Sequence, residues 1–475
     1  MPREKPKAAN PRGESIEAGR RGGATRSSDE AAVMAVERRS GVIWRCLRQQ
    51  PKKKETGMTD LNKAKPFEIP KELVWKAWQA VKANRGVAGV DEQTIEDFES
   101  ERNKGLYKIW NRMSSGSYMP PAVKRVEIAK SDGKLRPLGI PTVSDRIAQM
   151  VVKSVLEPEW DPRFHPSSFG YRPRKSAHDA VRQARANCWE HSWVVDLDIK
   201  GFFDNLDHDL LMKAVRHMTD NPWAILYIER WLKAGIVLPD GTCKLPQRGT
   251  PQGGVISPLL ANLFLHFVFD KWMTKHYASV PFERYADDII VHCRTQAQAD
   301  MLHKAIEQRM AECGLSLHPE KTKRVCCDPR MKANADVPTE FDFLGFTFRK
   351  RAARKADGKM FTGFSPGISN KAKKAIVREM RDWQVHKLTT RSIGELSKLF
   401  NAQIRGWVNY YGAFYKSAMS GILRVLDLRL INWARAKYRK QSDHFMRAVK
   451  WLDNVKQRYP KLFVHWVFTS PKLAE

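Results

Sequence analysis

The sequence predicts an α+β chain of two or more domains, on three observations. With 475 residues it is too long for one hydrophobic core. Apolar residues recur at helical spacing in several separated stretches, beginning with Leu73, Val74, Trp75, Ala77, Trp78 and Val81. Between such stretches lie short strand-like segments, above all Phe282 to Cys293, where two apolar runs flank Asp287-Asp288 in the pattern of a tight β-hairpin.

That acid pair organises the rest. Adjacent carboxylates repel, so they need a shared cation, wide exposure or shifted pKa values. A solvated turn is the bland alternative for one pair alone. A second acidic segment, Val194 to Asp204, lies upstream and presents Asp196, Asp198 and Asp204 among apolar residues. Two strands of this kind can meet in one sheet and offer the hard oxygen cage that Mg²⁺ takes, with phosphates completing the ligand set.

Composition narrows the class. Hydrophobic residues make up 42% and charged residues 28%, the balance of a globular protein in water. No apolar run is long enough to cross a bilayer and no secretory signal opens the chain, so we expect no membrane partner and a cytoplasmic location. The formal charge of +31 calls for a polyanion, and nucleic acid suits it better than lipid. Residues 351–475 hold 26 basic and 8 acidic side chains, so the C-terminal quarter carries most of the excess beside many aromatics. Residues 1–57, with 14 basic and 7 acidic side chains, read as a disordered basic extension, and Met58 is an alternative start. The seven cysteines are odd in number and form no C-x-x-C pair, which predicts reduced, buried thiols with neither a zinc ribbon nor a disulfide framework.

Taken in order, a helix from about Pro70 ends at Asn84-Arg85-Gly86, and Thr94 to Phe98 opens the next with a capping-box-like start. Val123 to Arg136 reads as a hairpin turning at Ser131-Asp132-Gly133. Its Lys124, Lys130 and Arg136 could clamp a triphosphate, although a solvated edge strand guarded by lysines is the rival reading. Helices are predicted over Asp145 to Glu157, Ala177 to Trp189, Asp209 to His217 and Thr295 to Cys313. Between the first two lies a rigid loop, Phe169-Gly170-Tyr171-Arg172-Pro173, with exposed aromatic and basic groups. The Gly/Pro-rich stretch Gly249 to Pro258 opens a long apolar helix reaching Trp272, and its glycines let backbone approach a ligand closely. Phe341 to Phe346 is a short strand with a glycine turn, and helices follow it, centred on Arg405-Gly406-Trp407-Val408-Asn409-Tyr410-Tyr411-Gly412.

In this order the segments resemble the reverse transcriptase/maturases encoded by group II introns, over roughly residues 66–470. The series runs through Asn84 to Asp91, Arg136 to Pro141, Phe169 to Pro173, Asp198 to Asp204, Pro251 to Gly254, Tyr285 to Asp288, His318 to Thr322 and Phe343 to Phe346. The resemblance implies a right-hand polymerase with helical and hairpin fingers, an antiparallel-sheet palm and a helical thumb, followed by an α-helical maturase domain. Fingers and palm would occupy 58–350, and thumb and maturase 351–475. It implies Asp198, Asp287 and Asp288 as catalytic carboxylates holding two Mg²⁺ ions, with the Ile199 carbonyl as a further ligand and Asp196 and Asp204 structural. Lys130 and Arg136 would hold the triphosphate, helped by Lys124. Phe203 would close against the ribose 2′ position, and Gln252 and Gly253 would touch the nascent base pair. Lys321 or Lys323 would be an acid toward pyrophosphate. Lys371, Lys373, Lys374, Arg378 and Arg405 would bind RNA, and two of Trp407, Tyr410 and Tyr411 would be packing residues.

The implied partners are the parent intron RNA, an RNA template with a DNA or RNA primer, and deoxynucleoside triphosphates. The oligomeric state stays open. Many relatives continue into a zinc-bearing HNH endonuclease with paired cysteines, and none follows Cys327 here, so none is expected. Two rivals remain: a non-catalytic RNA-binding splicing factor, and a host-recruited reverse transcriptase in phage defence. The reading fails if residue 198 lies far from the 287/288 turn, or if a lysine or arginine is salt-bridged into that spot in place of metal.

Overall fold

The computed structural model describes residues 65–129, 135–328, 330, 337–354, 358–438 and 444–469, all within one unit of the chain. Lys130 and residues 1–57 lie outside the described residues. Three sheets carry the architecture, in the order in which alternation and turn residues suggest them.

β1 (Val123–Ala129) and β2 (Leu135–Ile140) pair antiparallel from Lys124 opposite Ile140 to Ala129 opposite Leu135. β4 (Ile236–Val237) adds to β1 in parallel and β5 (Cys243–Lys244) closes this sheet, giving the order β2-β1-β4-β5. The second sheet holds β3 (Trp193–Asp198), β6 (Phe282–Tyr285), β7 (Asp288–Cys293) and β8 (Lys323–Cys326) in the antiparallel order β6-β7-β3-β8. Its central β3 buries Trp193, Val194, Val195 and Leu197, so both faces are covered. β9 (Phe341–Phe343), β10 (Phe346–Arg354) and β11 (Met360–Ile368) form the third.

The expected helices are present with ends shifted by a few residues, at Lys71–Ala83, Val143–Trp160, Ala177–Glu190, His208–Met218 and Gln296–Glu312. Thr94 caps its helix reciprocally with Asp97. One boundary differs. The acidic segment is extended only to Asp198; at Gly201 the backbone takes φ +56° and Phe202–Asn205 is helical. A left-handed glycine ends the strand that side-chain alternation alone would continue. The long apolar helix is also interrupted, with Ser257–Leu265 and Lys271–His276 α-helical and His266–Asp270 a π-helical turn.

That turn aims Asp270 at Arg284, and neither side chain has any exposed surface. Arg284 Nε and Nη2 donate to the two Asp270 oxygens at 2.8 and 2.6 Å, and its Nη1 reaches Asn262 Oδ1 at 3.0 Å and the Ala286 carbonyl at 3.1 Å.

Beyond β11, helices Asn370–Asp382, Ile393–Tyr411, Ser417–Lys437 and Phe445–Arg458 enclose a separate core around Met380, Leu396, Leu426, Leu430 and Trp433. Asp427 gathers this end, accepting from Lys456 Nζ at 2.8 Å, His465 Nε2 at 3.0 Å and Trp466 Nε1 at 3.1 Å. The helical end docks on the sheets through the β9–β10 turn: Tyr410 donates to the Leu344 carbonyl at 2.9 Å, and Tyr411 lies against Gly345. Trp407 stacks on Trp383 at 5.4 Å, while Tyr410 and Tyr411 both pack on Phe346, so all three aromatics are packing residues rather than two. Cys188, Cys293, Cys313, Cys326 and Cys327 are free and buried, in keeping with the expectation of reduced thiols at these positions. Among the described residues no helix is long and apolar enough to cross a membrane.

Replacing Asp270 by Leu would leave Arg284 charged and unpaired in the core. Chemical denaturation should show a loss of about 3–5 kcal/mol. The double variant Asp270→Leu/Arg284→Met should lose less than Asp270→Leu alone.

Candidate active site

Strand register decides whether the acids meet. Asp198, the last residue of β3, stands directly opposite Asp288, the first of β7, and Asp196 lies two residues back on the same face. Ala286 and Asp287 make the link between β6 and β7, with Ala286 in the left-handed region at φ +58°. Three acids separated by some ninety positions in sequence thus share one end of one sheet. Residue 198 is beside the 287/288 turn.

The turn is held from outside by the Phe169 loop. Phe169 N–H donates to the Arg284 carbonyl at 2.8 Å and Arg284 N–H to the Ser167 carbonyl at 2.9 Å, so this segment extends the edge of β6. Gly170 sits so close that an added Cβ would lie 2.3 Å from the Ala286 nitrogen. Only glycine fits that approach.

Electrostatics follow from the crowding. Burial first, then Asp288, pushes the Asp196 carboxyl up to about 8. Asp288 keeps an exposed edge, yet loss of surrounding water first, then Asp287 and Asp198, raises it to about 6. Asp287 is raised by burial and by Asp198. The cluster holds more negative charge than its surroundings neutralise.

Lys321 answers part of that charge. Its Nζ is ion-paired with Asp198 Oδ2 at 2.6 Å, and its side chain is 61% exposed. A lysine is therefore paired at this spot, at one carboxylate and from a surface position. Asp287 and Asp288 keep their raised carboxyls despite it. Lys323 stands opposite Asp196 instead.

Among the described residues no three carboxylate, histidine or cysteine groups are already drawn to metal-ligating distance. The fit to a divalent cation lies in donor type and crowding: three hard carboxylates gather at one end of the sheet, where burial and their mutual charge raise Asp287 and Asp288. The Ile199 carbonyl can join them. The ladder to Leu317 runs through His318 N–H to the Asp198 carbonyl and Lys200 N–H to the Ser316 carbonyl, which leaves Ile199's own carbonyl outside it.

The other residues singled out by sequence fall around this centre. Arg136 Nε donates to Gln252 Oε1 at 2.9 Å, joining the β2 cation to the glycine loop. Gly139 N–H donates to the Gln252 carbonyl at 2.6 Å, and Gly253, at φ +111°, has no room for a Cβ against the Gly139 carbonyl. Lys124 is half-buried on β1. Phe203 is 6% exposed and edge-on to Phe202 at 5.4 Å, so most of its ring belongs to the core. Asp204 lies on the short helix, outside the sheet. Lys371, Lys374 and Arg378 share the exposed face of Asn370–Asp382, opposite Ala372, Ile376 and Met380. Lys373 is half-buried on the flank, and Arg405 is exposed on the next helix.

Sequence reasoning passed over Arg284, Asp270 and Asp145. Asp145 is buried and accepts from Tyr118, Trp231 and Gln149 at 2.9, 2.7 and 2.9 Å, with burial raising its carboxyl to about 6. The available signal was charge inside apolar segments, as in Phe282-Glu283-Arg284, where each buried ion demands a partner.

Residues 128–348 match the family described as reverse transcriptase (RNA-dependent DNA polymerase), and residues 373–451 match the group II intron, maturase-specific domain. The Escherichia coli protein YkfC is 41% identical over 41% of this chain and 51% of its own length. The group II intron-encoded protein LtrA of Lactococcus lactis is 37% identical over 41% of this chain and 32% of its own. The matched segment thus spans about half the length of the first relative and about a third of the second. A telomerase structure from Candida albicans aligns at a TM-score of 0.41 and 14% identity, over 78% of this chain and 66% of that one. With a reverse transcriptase domain followed by a maturase-specific domain, the chain belongs to the reverse transcriptase/maturases of group II introns.

Proposed function

We propose that this chain is an RNA-directed DNA polymerase that also binds its parent intron RNA to assist splicing and retromobility. The observation that carries the reading is Asp198 registered against Asp288, with Asp287 in the adjoining turn. Fingers and palm would span 58–350, and thumb and maturase 351–475. Its partners would be the intron, an RNA template with a DNA or RNA primer, and deoxynucleoside triphosphates, in the cytoplasm.

Asp198, Asp287, Asp288 and the Ile199 carbonyl would hold two Mg²⁺ ions. Magnesium bound there supplies activation of the primer 3′-hydroxyl and neutralises charge on the departing pyrophosphate. The chain's own groups do the rest. Arg136, with Lys124 and Lys130, would grip the triphosphate. The Gln252-Gly253 backbone, fixed on Gly139, would floor the nascent base pair. The exposed edge of Phe203 would close on the sugar. Lys321, on a long exposed stem, can swing from Asp198 toward the pyrophosphate and deliver a proton. In the helical end, Lys371, Lys373, Lys374, Arg378 and Arg405 would meet RNA phosphates.

Asp287→Asn should abolish dTTP incorporation on poly-rA primed with oligo-dT, while intron binding and assisted splicing stay near wild type. An equal fall in splicing would show that the two functions are not separable in this way. Neutralising Lys371, Lys374 and Arg378 together should weaken RNA binding and flatten the plot of log affinity against log salt by about one unit per lost phosphate contact. An unchanged slope would assign that face to solvent.

A further inference from the structure

We infer that Tyr171 is a positioning residue for the primer terminus, its ring forming with Tyr285 a platform for the last primer nucleotide beside the acidic turn. The inference rests on the polymerase reading above and adds a residue to it.

Tyr171 holds φ +56°, a left-handed conformation that glycine adopts freely and tyrosine rarely does. The flanking chain imposes it. Gly170 is wedged against Ala286, and Arg172 is locked in place, its Nε donating to Asp161 Oδ1 at 2.7 Å and its terminal nitrogens to the carbonyls of Asp161, His165 and Ser168 at 2.7–2.8 Å. Strain of this kind persists where the surroundings over-determine it, and such sites are often functional.

The ring gains little packing in return. Tyr171 is 52% exposed, and among the described residues its hydroxyl takes no hydrogen bond. Its ring neighbour is Tyr285, 6.4 Å away and tilted by 45°. Partial burial first, then Asp287, holds the phenol above its ordinary pKa, with Arg136 and Asp288 also within electrostatic reach. An exposed aromatic held at a strained position against the acids suits a base or sugar face from outside the chain. The strand that ends at these acids is the primer, whereas the unpaired template runs on past them. The ring's partner is therefore the terminal primer nucleotide.

Tyr171→Gly tests this, because glycine removes the ring and relieves the backbone together. It should melt no lower than wild type, yet extend a primer on an RNA template about ten-fold more slowly at saturating nucleotide, with an unchanged nucleotide KM. Tyr171→Phe should keep the wild-type rate. In EDTA, a primer ending in 2-aminopurine should change its emission on binding wild type and Tyr171→Phe but not Tyr171→Gly. Wild-type extension and emission with Tyr171→Gly would overturn the inference. So would an altered nucleotide KM with wild-type emission, which would place the ring against the incoming nucleotide. Should the glycine variant melt lower, Tyr171→Asn, which also tolerates this backbone, carries the same comparison. A wild-type chain that extends no primer would reject the polymerase reading itself, while its emission change would still decide Tyr171.

Discussion

The buried pair of Arg284 and Asp270 is the interaction on which the geometry of the acids depends. Removing two charges from water is costly, and a pair persists in a core only when its geometry is good and its remaining donors are satisfied. Both conditions hold here. The guanidinium is bidentate on Asp270, and its remaining donor is shared between Asn262 and the carbonyl of Ala286, the left-handed residue of the acidic turn. Asn262 in turn donates to the Gly170 carbonyl at 2.6 Å. One network thus joins the interrupted helix, the turn carrying Asp287 and the loop carrying Tyr171. The π-helical turn at His266–Asp270 fits this picture, since an extra residue in a helical turn re-aims the side chain at its end.

The acids themselves work in the opposite sense. A chain with a formal charge of +31 keeps three carboxylates crowded at the end of one sheet and pairs Asp198 with the exposed side chain of Lys321. Proteins seldom tolerate such crowding for stability alone, because Asp287 and Asp288 are held above their ordinary pKa and folding bears that penalty. The penalty is recovered only when a cation of higher charge density binds. Rigidity from the Arg284 network and unmet charge at Asp198, Asp287 and Asp288 are complementary: the first fixes where oxygens stand, the second determines what they attract.

Much of this was legible in the sequence because it is local. Alternation around Asp287-Asp288 gives the hairpin, Thr94 and Asp97 spell a cap, and the glycines at 170 and 253 mark close approaches. The order of motifs adds the right-hand polymerase architecture. What stayed hidden is non-local or conformational. Nothing in Phe282-Glu283-Arg284 says which acid Arg284 finds, because Asp270 lies on another element. The end of β3 depended on the φ of Gly201, which side-chain pattern does not report. Sequence left Phe203 between palm packing and a sugar contact, and only the fold shows how much of its ring is buried; likewise the ion pair of Lys321 with Asp198 and the register of Lys323 opposite Asp196 needed the fold.

The junction between sheets and C-terminal helices bears on how two activities could coexist. Leu344 and Gly345 both have positive φ, at +51° and +79°, and this sharp turn is gripped by Tyr410 and Tyr411 from the helix that also carries Arg405. His178, on the helix behind the second sheet, completes the joint through the Tyr410 carbonyl at 2.8 Å and through Phe346 and Phe414. The contact is aromatic and specific in direction, unlike a flexible linker. RNA held on the basic face of the helical end would therefore sit at a fixed offset from the acids. A change at the acids would leave that face intact, whereas a change at the turn formed by Leu344 and Gly345 would disturb both.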